Sequence, residues 1–250
     1  MDLLEKRIVL INSKDRLDGG TTYDFRVNGP RDLVNPAYYC LHSVSLMNTF
    51  YNITAKNNTF SIKVGSTTIN STIDPRYYTV DTLVSILNTK VNENLALNGI
   101  PGNLFLITYD STAYKITLSI DITRSFTLIP SPLAKNLGFK LDNYPTTTSL
   151  VADSLIDLTP INRIFIHSNI AQTNASSSSN KTASLMAVIP NNSGFGESIT
   201  VITQNEALNL YRCSRDLSTI SVSLRDSDNT LLDNNGLDWS LSIIVYYYIK

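Results

Sequence analysis

Catalytic and metal-binding chemistry has little to draw on in this chain. Its 250 residues include two cysteines, Cys40 and Cys213, and two histidines, His42 and His167. Two cysteines cannot build a disulfide framework, and no Cys-x-x-Cys, His-Glu-x-x-His, Gly-x-Ser-x-Gly or phosphate-cradling loop occurs. Charge is scarce as well: 16% of residues are ionic, 20 basic against 21 acidic, for a net charge of -1. That balance offers no electrostatic footprint for nucleic acid or an anionic membrane. No apolar run approaches the roughly 20 residues of a membrane helix. Residues 1–7 carry Asp2 and Glu5 where a signal peptide needs a cationic and then an apolar segment, so a soluble protein made in the cytosol is expected. Six Asn-x-Ser/Thr sequons, at Asn52, Asn57, Asn70, Asn174, Asn180 and Asn191, read as accidents of a composition rich in Asn, Ser and Thr.

What is abundant is alternation. From Thr219 onward Ile220, Val222 and Leu224 share one face and Thr219, Ser221 and Ser223 the other, the period of a half-buried strand. After a loop closed by Asp233, Asn234, Asn235 and Gly236, a second strand puts Trp239, Leu241, Ile243, Val245 and Tyr247 on one face. Its other face holds Ser240, Ser242, Ile244, Tyr246 and Tyr248. A strand apolar on both faces belongs inside a sandwich or at a subunit contact. Burying Trp239 alone would contribute about 4–6 kcal/mol, from about 150–250 Å² at about 25 cal/mol/Å², as an upper bound. These two strands read as a hairpin and as the central element.

The same reading, taken along the chain, predicts strands at residues 8–11, 23–27, 38–47, 104–109, 114–122, 126–129, 158–169, 185–189, 199–202 and 208–211, with a hairpin about Gly65. One amphipathic helix interrupts them: Val80, Leu83, Val84, Leu87 and Val91 form a single stripe behind a Thr79 cap, suited to lying across a sheet end. Ser131, Pro132 and Gly138 write a short helical turn in cap, first-turn and stop order. Residues 170–182, with four serines in a row, read as a mobile surface loop. Many short strands bounded by turn residues argue for an all-β fold, a sandwich or barrel with Greek-key connections. The expected organisation is one domain over residues 1–250, with residues 1–20 as an N-terminal arm.

Three constellations could carry chemistry. Cys40 and His42, two residues apart on a strand, could form a nucleophile and base. A small buried thiol beside a core histidine is the plainer account. Asp226, Asp228, Asp233 and Asp238 could hold calcium, but they lack the EF-hand spacing, with Thr230 at loop position 5, Leu231 where the glycine belongs and Leu237 where the bidentate glutamate belongs. A solvated hairpin loop is favoured. Trp239 and the 13 tyrosines could stack on sugars, although their in-phase placement marks most as core or interface. The expectation is therefore that no residue is catalytic and that no cofactor or metal is bound.

Residues 11–16 followed by 22–27, the words Tyr51-Asn52-Ile53 and Leu137-Gly138-Phe139, the strand 164–169, and Asp238-Trp239-Ser240 after Asn235-Gly236 also carry a resemblance. In that order, across nearly the whole chain, they resemble the penton and minor capsid proteins of virophages and polinton-like viruses. The resemblance implies a single jelly-roll sandwich of two antiparallel sheets. It also implies that five copies fill each vertex of an icosahedral shell of double jelly-roll major capsid proteins, with cement or fibre proteins as further partners. The location implied is the virion. At this length the major capsid protein itself is disfavoured, because two jelly rolls need about twice the residues. The alternatives are a carbohydrate-binding jelly-roll domain or receptor-binding spike module and, from another class, a hydrolase using Cys40 and His42.

Overall fold

A computed structural model describes residues 4–30, 35–101, 104–159, 161–171, 184–204, 210–214 and 217–248. The strands are β1 (Leu4–Asn12), β2 (Asp24–Asn28), β3 (Pro36–Met47), β4 (Thr59–Val64), β5 (Thr67–Thr72), β6 (Phe105–Asp110), β7 (Lys115–Ile120) and β8 (Phe126–Ile129). They continue with β9 (Ser149–Val151), β10 (Arg163–Ser168), β11 (Leu185–Pro190), β12 (Ser198–Ile202), β13 (Tyr211–Arg212), β14 (Thr219–Arg225) and β15 (Ser240–Tyr248). The helices are α1 (Val80–Leu97) and α2 (Pro132–Asn136).

The chain divides into two compact units, Met1–Phe50 with Ile161–Lys250, and Tyr51–Pro160. In the first unit one sheet runs β1-β15-β3-β12, with β13 also on β3, and the other runs β11-β10-β14-β2. Of the eight main strands taken in chain order, only β10 and β11 are sequential partners in one sheet. Every other connection crosses between sheets, which is the jelly roll.

The alternation explains why the sheets close on each other. Ile220, Val222 and Leu224 of β14 and Leu241, Ile243 and Val245 of β15 enter one buried cluster with Phe25, Val27, Val44, Leu46, Ile164 and Ile166. Period-two patterning supplies each sheet with one apolar face, and the pair hides both.

Three expectations are corrected here. Strands β14 and β15 do not form a hairpin: β14 pairs with β10 and β2, whereas β15 pairs with β1 and β3. Residues 4–12 of the expected arm are strand β1, paired with β15 along all nine residues, from Leu4↔Tyr248 to Asn12↔Ser240. The jelly roll expected over 1–250 is built from the first unit alone, and Tyr51–Pro160 enters between its third and fourth strands with a core of its own. The expected loop at 170–182 lies, from residue 172 onward, outside the described residues.

That second unit holds sheets β5-β4-β8 and β6-β7-β9, which meet where Phe126 and Thr147 exchange two 2.8 Å backbone hydrogen bonds. Gly65, at φ 60°, turns the β4–β5 hairpin as expected. The Thr79 hydroxyl accepts from Thr82 N, and Leu83, Leu87, Val91 and Leu95 of α1 are buried. The helix was expected to cross a sheet end, but it closes a free strand edge instead. Asn88 accepts from Ile107 N at 2.7 Å and donates to Ile107 O at 2.8 Å, and Asn92 does the same with Phe105 at 3.1 and 2.8 Å. Two asparagines one turn apart thus stand in for a strand beside β6. Strand β9 falls where a polar connection was expected, because only Leu150 of its three residues is even half-buried.

Candidate assembly surface

The end of the chain organises the first unit as its apolar phasing implies. Trp239 is 4% exposed, and its Nε1 donates to Thr22 O at 2.6 Å. Its backbone N–H donates to Ser13 Oγ at 2.9 Å, and Ser13 N donates back to Trp239 O at 3.0 Å. The Phe25 ring meets the indole edge-on, centroids 5.8 Å apart at 76°. Phe25 belongs to one sheet and Trp239 leads into the other, so this contact ties the sandwich across its core. Buried in this way, the indole is no platform for a sugar.

The other candidate residues are dispersed. Cys40 is fully buried, and β3 bulges at His42, with Leu41 opposite Ile243 and Ser43 opposite Ser242. His42 Nδ1 is buried and makes no hydrogen bond, so it does not hold a thiol through that nitrogen. Burial pushes the Cys213 thiol up to about 12, away from nucleophilic character. The aspartates serve separate places, with Asp226 and Asp228 in one turn. Asp226 Oδ1 accepts from Asp228 N and Thr230 N, Asp233 Oδ1 accepts from Asn235 N, and Asp238 Oδ1 accepts from Ser13 Oγ at 2.8 Å and Arg16 Nη1 at 3.1 Å. Among the described residues no three metal-ligating side chains cluster, and no helix is long and apolar enough to cross a membrane.

The outward face of the second sheet carries a cleft of about 620 Å³ lined by Asp24, Arg26, His167, Ser221, Ser223 and Arg225 among others. His167 Nδ1 lies 3.2 Å from Ser184 Oγ. Burial, and then the Arg225 charge, lower its pKa below the ordinary 6.5. Near pH 6.5 the unfolded chain therefore takes up a proton that the folded chain resists. Stability is full above that value and is lost as the pH falls through 6.5 toward the folded pKa. The melting temperature is expected to drop between pH 7 and 5, and His167→Gln to flatten that drop. An unchanged slope in the variant would remove the assignment.

The first sheet differs in its outward chemistry. Ile8 and Leu10 on β1 are 60% and 69% exposed, and Ile202 on β12 is 63% exposed. Neither residues 8–12 nor residues 198–202 include a charged side chain. Bare aliphatic residues on two outer strands are unusual where natural sheets place charge.

No family model matches the chain, and no curated protein matches it in sequence. Among solved structures, the selenomethionine-labelled mavirus penton protein superposes with a TM-score of 0.54 at 12% identity, covering 97% of this chain and 100% of that one. The likeness is one of fold. It extends over both units, because an overlap of 97% leaves room for neither to be missing. The resemblance thus has a structural counterpart at the level of the fold, an all-β jelly roll like that of a penton protein.

Proposed function

We propose that this chain is a capsid subunit, a penton whose five copies close a ring at each vertex of an icosahedral shell. The observation that carries this reading is the end-to-end likeness to a penton protein, on a jelly roll whose strand order is complete. The role is structural and not enzymatic. The partners are further copies of the chain and the double jelly-roll major capsid proteins around the vertex, with cement or fibre proteins beyond them. The protein is made in the host cytosol and resides in the virion. The mechanism is geometric: a head-to-tail contact closes when each copy is rotated one fifth of a turn from the last.

Light scattering across a concentration series tests this. The mass is expected to climb from one subunit of 27.7 kDa to five and to stop there. With a net charge of -1, long-range repulsion is weak, so the midpoint should shift little with salt. A monomer at every concentration, or a closed trimer, would remove the penton reading and leave the jelly roll standing.

A further inference from the structure

We propose that the ring contact runs edge to edge through the β1-β15-β3-β12 sheet, with β1 of one copy against β12 of the next. The proposal rests on the pentamer reading and names its seam. Strand β1 is one outer strand of that sheet; on the other edge β12 flanks residues 43–47 of β3, with β13 beside Tyr38 and Tyr39. The three most exposed large aliphatic side chains among the described residues of the first unit are Leu10, Ile202 and Ile8, and all three lie on β1 and β12. Val9 and Ile11, beside Ile8 and Leu10, are buried in the core, and Val201, beside Ile202, packs against it, so the three share the outward face.

The register places them at matching heights. Leu10 stands opposite Ser242, Ser242 opposite Ser43, and Ser43 opposite Ile202. One row therefore crosses the sheet with an exposed aliphatic residue at each end, and between them two serines whose hydroxyls bond each other at 2.6 Å. A ring closes only when successive copies are related by rotation without a rise along the axis. With strands along that axis, patches at one height meet; patches at different heights would wind into a helix instead.

Strand direction points the same way. Strands β1 and β15, β15 and β3, and β3 and β12 are each antiparallel, so β1 and β12 run in opposite senses. Rotation about an axis along the strands preserves those senses, and the apposed edges then meet antiparallel, as paired edge strands do. Charge marks how far the seam extends: Glu5, Lys6 and Arg7 guard the start of β1, and residues 8–12 carry no charge. The uncharged stretches, residues 8–12 of β1 and Ser198–Ile202 of β12, are five residues each, which at about 3.4 Å per residue make an edge about 17 Å long. One such contact falls below the roughly 800 Å² per partner of a stable pair. Two contacts per subunit, both satisfied only in the closed ring, favour five over any open intermediate.

The test is a cysteine pair, Leu10→Cys with Ile202→Cys, in the full chain, where native Cys40 and Cys213 are buried. Mild oxidation should give a ladder of linked species ending at the covalent pentamer, and neither single variant should link. In parallel, Leu10→Arg or Ile202→Arg alone should reduce the pentamer fraction at least tenfold, while Ile122→Arg in the second unit should not. A dimer from either single cysteine variant would show a two-fold contact and overturn the seam. So would a pentamer, seen by light scattering, that neither links nor responds to the arginines; the pentamer reading would then survive alone. A chain that is monomeric under all conditions removes both.

Discussion

Trp239→Ala is expected to cost the first unit about 3–5 kcal/mol, the range for truncating a large buried aromatic residue. Two losses combine. The Phe25 edge contact and the surrounding core lose their partner, leaving a cavity between the sheets. Thr22 O also loses the 2.6 Å hydrogen bond from Nε1, and an orphaned buried acceptor costs about 1–3 kcal/mol. Against a total stability of about 5–15 kcal/mol, that fraction is enough to threaten folding at 37 °C. Trp239→Phe separates the contributions, because it keeps most of the packing and removes only the donor; it should cost less than half as much. Urea unfolding of the three proteins decides the matter. If the alanine variant unfolded at the same urea midpoint as the parent, the indole would not be the tie between the sheets.

How much of this was legible in the sequence depends on whether a feature is local. Alternation at 219–224 and 239–247 correctly gives the buried face of β14 and β15, because a strand's period is a property of the strand. It does not give the partner. Ile220 and Ile243 look alike in sequence, yet they reach one core from opposite sheets. The hairpin reading failed for that reason. The Thr79 cap of α1 and the Ser131-Pro132 start of α2 were readable, since caps are made within a few residues. The boundary between the units was not, because nothing in composition separates Phe50, in one core, from Ile53, in the other. The Leu10–Ile202 row was invisible for a stronger reason. It exists only after three strand pairings are assembled, one of them shifted by the bulge at His42.

Gly29→Ala is expected to destabilise the first unit by at least about 3 kcal/mol, above the usual 1–3 kcal/mol for a group forced into a packed site. Gly29 follows β2, and its N–H donates to Ser218 O at 2.9 Å, extending the pairing of β2 with β14 past Asn28↔Thr219. A β-carbon there would stand 1.6 Å from Leu217 O and 2.8 Å from Leu217 C. Both are backbone atoms, so no side chain can swing aside. Leu217 is itself in the core, and its main chain cannot retreat without dragging that side chain out. The ladder must therefore open. Gly19→Ala supplies the comparison within the same unit: at φ 85° with nothing within 4 Å of the added carbon, it incurs only the left-handed backbone penalty of about 1–2 kcal/mol. Either alanine recovers about 0.4–1 kcal/mol by stiffening the unfolded chain, so the contrast between the two survives. Urea midpoints should fall much further for Gly29→Ala than for Gly19→Ala. Equal shifts would mean that β2 can draw back from Leu217, and that the sheet edge beside it is far softer than its hydrogen bonds imply.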